Sequence, residues 1–457
     1  MTQLAAIRRA WRGNGLGGTI FRTSATNFLV MAVVTLTSIV TARMYGVEGK
    51  GELSAIVFWP TLLAGLVGFG LPTSLIYNLK RSDGDEGAFV RASFLFQAPV
   101  SAIAGTVAWF GLPHWLDGYP AHVVSIAQWY AASMVPVLLA INLVSALAQS
   151  KGKFAVYNGV RLFVPLCNLA GLFGLWAVGN LSLGYSALAF LATSVLVVAW
   201  ATFSLAEDIR FGRFKGMQDW KAARPLFAYG SKVFGVELLG ALYSQFDKLV
   251  IVSMLTARDL GLYTVVFALS RVYNVVQTAI ANVVFPKVAG MAQERILATA
   301  GRAFRLSLLL MTAVVVPTMF VGRFLMGVLF GAPFLEASTA FYLLCFECII
   351  GGGSWILATS FNAMGRPGLV LLRQTIALSI TVALAVWLTP AYGLNGIAVA
   401  LLIGAVIRLA LTLASMKIVF RVPLRGMLFD RNDYRYLAGR LKEYKRSKGA
   451  SDHADEG

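Results

Sequence analysis

The chain has 457 residues, 58% of them hydrophobic and only 13% charged, about half the charged share of an ordinary soluble domain. That balance excludes a large soluble enzyme and points to a polytopic membrane protein. A formal charge of +18 would suggest nucleic acid in a soluble chain; here an uneven distribution of basic residues between loops accounts for it, and no nucleic-acid partner is expected.

Apolar runs long enough to cross a bilayer, about 20 helical residues each, number twelve: 19–42, 53–79, 88–110, 123–148, 158–178, 184–206, 227–255, 260–285, 303–330, 338–361, 368–388 and 394–416. The spacing predicts an all-α protein with a short cytoplasmic segment (1–18), a six-helix bundle (19–206), a cytoplasmic linker (207–226), a second six-helix bundle (227–418) and a basic cytoplasmic tail (419–457). Arg8, Arg9 and Arg12 precede an apolar run too long for a cleavable signal, so the first span is expected to stay. Pro99, Pro136, Pro165 and Pro317 fall inside spans and predict kinks. The N-terminus and the even-numbered loops carry most of the Lys and Arg, from Lys80 and Arg81 to Arg366 and Arg373. The odd-numbered loops hold only Arg43, Lys50 and Arg258, which puts both termini in the cytoplasm. The tail from Arg421 to Lys448 interleaves basic and apolar residues and is expected to lie on the anionic leaflet. Cys345-x-x-Cys348 has metal-like spacing, but no second ligand pair accompanies it, so no metal is expected.

The seventh and eighth spans form a hairpin that contains Glu237, Asp247, Lys248 and Arg271. Ionisable side chains in hydrocarbon are costly and normally face protein, water or a partner. The hairpin also opens the second of two internal repeats offset by about 211 residues. Gly51 matches Gly261, Arg22 and Asn27 match Lys232 and Glu237, Arg161 matches Arg373, Gly184 matches Gly396, and the turn QSKGK at Gln149 matches NAMGR at Asn362. Six spans per repeat give both halves the same orientation in the membrane, related by an axis along its normal.

TARMYGVEGKGELSAI from Thr41, SQFDKLVI with GLYTVVFALSRV from Ser244, VLFGAPFLEASTAFYLL from Val328, and the turns SALAQSKGKF and FNAMGRPG together resemble the polysaccharide-biosynthesis flippases. These belong to the multidrug/oligosaccharidyl-lipid/polysaccharide exporter superfamily. The resemblance implies twelve helices in two V-shaped, MATE-like bundles. It also implies alternating access for a polyprenyl-pyrophosphate-linked oligosaccharide at a bacterial inner membrane, for O-antigen or exopolysaccharide assembly. Membrane lipids and polymerase or glycosyltransferase machinery are the implied partners. No cofactor is expected beyond coupling to H⁺ or Na⁺.

That task needs cations for the pyrophosphate, and Arg suits its bidentate geometry. Arg22, Lys232, Arg161 and Arg373 near cytoplasmic helix ends, with Arg271 and Arg408 deeper, are the candidates. Each has an alternative role: headgroup snorkelling for the first four and for Arg408, and an ion pair with Asp247 for Arg271. Asn27, Gln245, Asn274 and Gln277 are candidates for sugar hydroxyls, with interhelical hydrogen bonding as the alternative. Glu237, Asp247 and Glu347 are candidates for ion coupling; for Asp247 the competing role is to balance Lys248. A drug/cation antiporter of the same superfamily fits less well, because intramembrane Arg and Lys outnumber carboxylates. The loop NLKRSDGDEGAFVR lacks the major-facilitator signature, and no outer loop is long enough for the catalytic segment of a polymerase or ligase.

Overall fold

The computed structural model describes residues 16–81, 86–207, 217–274, 277 and 291–428. Within them the chain is helical: α1 Leu16–Val67, α2 Leu71–Arg81, α3 Glu86–Trp115, α4 Ala121–Ser150, α5 Phe154–Ala177, α6 Leu183–Ser204, α7 Met217–Met254, α8 Ala257–Arg271, α9 Gln293–Leu329, a 3₁₀ turn at Ala332–Ala337, α10 Ser338–Ala363, α11 Pro367–Phe420 and α12 Leu424–Leu428. Eight helices among the described residues are long and apolar enough to cross a membrane, and the protein is a multi-pass membrane protein. Of the eight, α11 carries two of the expected spans, and α1 carries the first with the start of the second, whose remainder lies on α2 beyond a break at Gly68–Gly70. The loop expected between the first and second spans is reduced to a sharp break at Gly46, φ 68° and ψ −167°, between two helical segments of α1. Spans eleven and twelve are likewise joined through a bend at Gly393, φ 55°. The seventh span lies on α7. The eighth begins on α8, and its stretch from 278 to 285 lies outside the described residues. Of the basic tail expected at 419–457, the part from 429 onward also lies outside them.

The repeat is visible in local structure. After α4, Gly152 N–H donates to the Gln149 carbonyl and Lys153 N–H to that of Ala148; after α10, Gly365 donates to Asn362 and Arg366 to Phe361. Both glycines are left-handed, at φ 70° and 69°. This is the two-bond C-terminal cap that a left-handed glycine permits, and it explains why the matched turns QSKGK and NAMGR each place Gly where they do.

The chain packs as two compact units, Met1–Leu269 with Arg323–Ala340 and Ala385–Ile397, and Ser270–Gly322 with Phe341–Leu384 and Ala398–Gly457. In the first, α3 packs on α4, α1 on α4 and α5, and α5 on α6. Its core joins Leu71 and Leu75 of α2, Phe89 of α3, Leu143 and Leu147 of α4, Val197 of α6 and Leu226 of α7. The core of the second gathers Leu297 and Phe304 of α9, Leu357 and Phe361 of α10, Met416 of α11 and Met427 of α12. Leu196, Phe203, Phe324 and Trp387 are among the large apolar side chains left exposed, as expected for surfaces that face lipid rather than water.

Candidate functional site

The first unit encloses two adjoining chambers of about 280 and 410 Å³ that share Thr37, Lys50, Val57, Thr61, Phe190 and Thr264 in their walls. The second half of α1 supplies Lys50, Ser54 and Thr61, α7 supplies Gln245 and Lys248, and α5 supplies Asn168. Among the described residues that line the chambers there are two lysines and no carboxylate.

The bend at Gly46 places Lys50 here. Without it the residue would sit in an outward loop, as its sequence position suggested; instead it is 9% exposed, with its ammonium donating to Thr41 Oγ1 at 2.7 Å. The hydroxyls of Thr37, Thr41 and Thr61 each donate to a carbonyl one turn back in α1, at 2.8, 2.8 and 2.9 Å. That leaves the Thr41 oxygen free to accept from the ammonium. Lys248 donates to Gln245 Oε1 at 3.0 Å and stands 5.5 Å from the centre of the Phe267 ring. An ammonium carries three donors, so each lysine keeps two beyond these bonds. An apolar-walled chamber with two ammonium groups and a lining of hydroxyls suits an anion bearing hydroxylated substituents.

Asp247, beside Lys248 in sequence, does not balance it. Its side chain is buried and accepts from the Tyr263 hydroxyl at 2.5 Å, while its Oδ1 has no hydrogen-bond partner. The ion pair considered between Asp247 and Arg271 is likewise replaced. Arg271 meets Glu347 Oε2 at 2.8 Å, and Arg408 meets Glu347 Oε1 at 3.0 Å. Glu347 thus joins two guanidiniums from either side, rather than standing alone as an ion-coupling carboxylate.

The other predicted residues separate by location. Arg373 is 3% exposed and donates to the Ser354 carbonyl, to Ser354 Oγ at 2.8 Å and to Thr412 Oγ1 at 3.0 Å, tying α10 to both halves of α11. Gln277 donates to the Cys348 carbonyl at 2.5 Å, and Cys348 Sγ donates to Asn274 Oδ1 at 2.6 Å, so both amides hold α10. Gly352 gives Gln277 its room, since a methyl there would fall 1.6 Å from the amide carbon. Cys345 and Cys348 are free and buried, and the described residues contain no group of metal ligands around them. Glu237 accepts from Thr73 at 2.6 Å. Arg161 stacks on Tyr157 of its own helix at 5.4 Å, Lys232 is exposed, and Arg22 and Asn27 are part-buried on α1. Of the sugar and cation candidates, Gln245 alone lines the chambers. Lys50 and Lys248, which line the chambers, were not among the sequence candidates: the first read as a loop charge, the second as a neighbour of Asp247. The clue lay in Gly46, four residues before Lys50, where a bent helix replaces a loop.

Long apolar helices around a chamber with two lysines in its walls define a multi-pass membrane protein of helical-bundle fold. Among solved structures, the fold is similar to the lipid II flippase MurJ in an inward closed conformation, with a TM-score of 0.73, 15% identity, and coverage of 92% of this chain and 95% of that one. It is also similar to an inward-facing multidrug-resistance MATE transporter, with a TM-score of 0.68, 12% identity, and coverage of 86% and 95%. The polysaccharide biosynthesis protein family matches residues 26–339, and the chain belongs to that family. A curated relative, a probable low-salt glycan biosynthesis flippase of Haloferax volcanii, is 26% identical over 214 residues, which is 46% of this chain and 44% of the relative's length.

Proposed function

We propose that the protein is a flippase that carries a polyprenyl-pyrophosphate-linked oligosaccharide from the cytoplasmic to the outer leaflet of a bacterial plasma membrane, for assembly of surface or extracellular polysaccharide. Family membership and a relative named as a glycan flippase support this reading. The chamber with Lys50 and Lys248, and no carboxylate among its described lining residues, carries it, because it suits a pyrophosphate and repels an organic cation. Both termini are cytoplasmic, and transport draws on an H⁺ or Na⁺ gradient through Asp247 or Glu237. The chain works beside the glycosyltransferases that build its substrate and the polymerase that consumes it, and does no covalent chemistry itself.

The test is reconstituted flipping of a lipid-linked oligosaccharide, normalised to folded protein. A desolvated hydrogen bond to a charged group contributes about 1.5–3 kcal/mol. Lys50→Ala and Lys248→Ala should therefore each slow flipping by about tenfold or more, with Lys→Arg restoring most of the rate. Near-normal flipping in both Ala variants would overturn the cationic-chamber mechanism. Transport of an organic cation in place of the lipid would favour an antiporter.

A further inference from the structure

The two repeat-related glycines, Gly51 and Gly261, touch. A methyl built on Gly51 would lie 1.7 Å from the Ala257 carbonyl oxygen, and one built on Gly261 would lie 2.0 Å from the Val47 carbonyl oxygen. The contact is reciprocal: Val47 precedes Gly51, and Ala257 precedes Gly261, by one helical turn, and members of each pair stand 210 positions apart. Each glycine Cα–H therefore points at the other helix's carbonyl, backbone against backbone, with no side chain between.

Three further features adjoin it. First, Lys50 and Thr264, which line the chambers, flank the crossing directly, Lys50 next to Gly51 and Thr264 one turn from Gly261. Second, both crossing segments start at a break in helix: α1 bends at Gly46, and Thr256, again 210 positions on, interrupts the chain between α7 and α8. Third, the same end carries ties to the outer end of α9, where Arg43 donates to the carbonyls of Val328 and Leu329, and to the 3₁₀ turn beyond, where Arg258 pairs with Glu336 at 2.6 Å.

We infer that the Gly51–Gly261 crossing is the seal of the substrate chamber at the end remote from the start of α1, and that it parts during each transport cycle. The inference deepens the flippase reading and rests on it for the direction of release. Backbone-to-backbone contact is as tight to water and ions as helices can make. Its attraction, however, is limited to weak Cα–H···O contacts and close packing, with no interlocking side chains or strong hydrogen bonds to break. Helices hinged at Gly46 and Thr256 separate there without unravelling. A side chain at either glycine would hold the seal ajar, because the obstructing atom is a backbone carbonyl that has no rotamer with which to yield.

Two measurements test this. In the first, Thr61→Cys in the chamber wall is labelled with a membrane-impermeant thiol reagent from each side, with labelling of the native cysteines subtracted. Gly51→Ala or Gly261→Ala should raise labelling from the outer side at least threefold and lower flipping at least tenfold. The combination should add little, since both substitutions wedge one contact. Gly240→Ala, a helical site with nothing within 4 Å of the added methyl, should change neither. In the second, which does not depend on the glycine variants folding, Glu48→Cys and Arg258→Cys on the exposed flanks of the crossing are joined by a short cleavable linker. The linked protein should lose flipping at least tenfold and regain it on cleavage. Unchanged labelling in folded Ala variants, or full flipping by the linked protein, would make the crossing a permanent packing contact. If the unmodified protein fails to flip the lipid yet the labelling changes appear, the substrate reading falls and the seal stands.

Discussion

Removing the carboxylate of Glu347 tests the charge arrangement of the second unit most directly. Its side chain is 4% exposed and holds Arg271 and Arg408, whose side chains are 28% and 13% exposed, at 2.8 and 3.0 Å. Glu347→Ala would leave two poorly hydrated guanidiniums close together, without their shared counter-charge. Breaking a buried pair by deleting one partner costs about 3–5 kcal/mol, mostly because the orphaned charge remains buried. Two cations share this carboxylate, so the upper part of that range is expected, and Glu347→Gln should recover only a minor part. The decisive variant is Glu347→Ala combined with Arg408→Leu. Removing both the anion and the more buried cation should restore roughly half or more of the lost stability, a coupling characteristic of contacting residues. Unfolding free energy in mixed micelles is the measurement, with folded protein confirmed by monodispersity. If the single variant loses less than about 1 kcal/mol, or the losses simply add in the double variant, the cluster does not depend on Glu347 for charge balance.

Two smaller predictions follow from the repeat and the outer end. Gly152→Ala and Gly365→Ala place a Cβ on left-handed residues with nothing within 4 Å of the new atom. The cost should be pure backbone strain, about 1–2 kcal/mol each, with Asn costing less; equal losses for Asn and Ala in the same unfolding assay would contradict this. The pair of Arg258 with Glu336 is solvent-exposed, and its hydrogen bond holds the Arg258 guanidinium above its ordinary pKa. The guanidinium therefore stays charged throughout the accessible pH range. Arg258→Ala should leave unfolding unchanged at high salt and nearly so at low salt; a large, salt-insensitive loss would show that Arg258 acts through packing.

Composition and periodicity determined the class of this protein. A chain whose long apolar runs leave too few charges for a soluble surface has to satisfy its backbone within helices in a bilayer. The repeat was also legible, because matched glycines answer to backbone constraints that act locally: Gly152 and Gly365 reverse the chain in the same way wherever they stand. The chemistry of the interior was not legible. Whether an intramembrane charge binds substrate or a neighbour depends on which helix faces it, and sequence spacing fixes faces only within one helix. Arg373, with its repeat mate and its position near a helix end, read as a substrate ligand, yet one nitrogen of its guanidinium is held by Ser354 and Thr412. Arg271 and Glu347, 76 positions apart, met only in the tertiary structure. Lys50 read as a loop charge but lines a chamber wall, because a sharp break at Gly46, φ 68°, takes the place of the expected loop and puts Lys50 in the first turn of the next helical segment. Gly51 and Gly261 were matched by sequence, but only packing brought the two matched backbones together, since a contact between helices is a property of their assembly and not of either repeat alone.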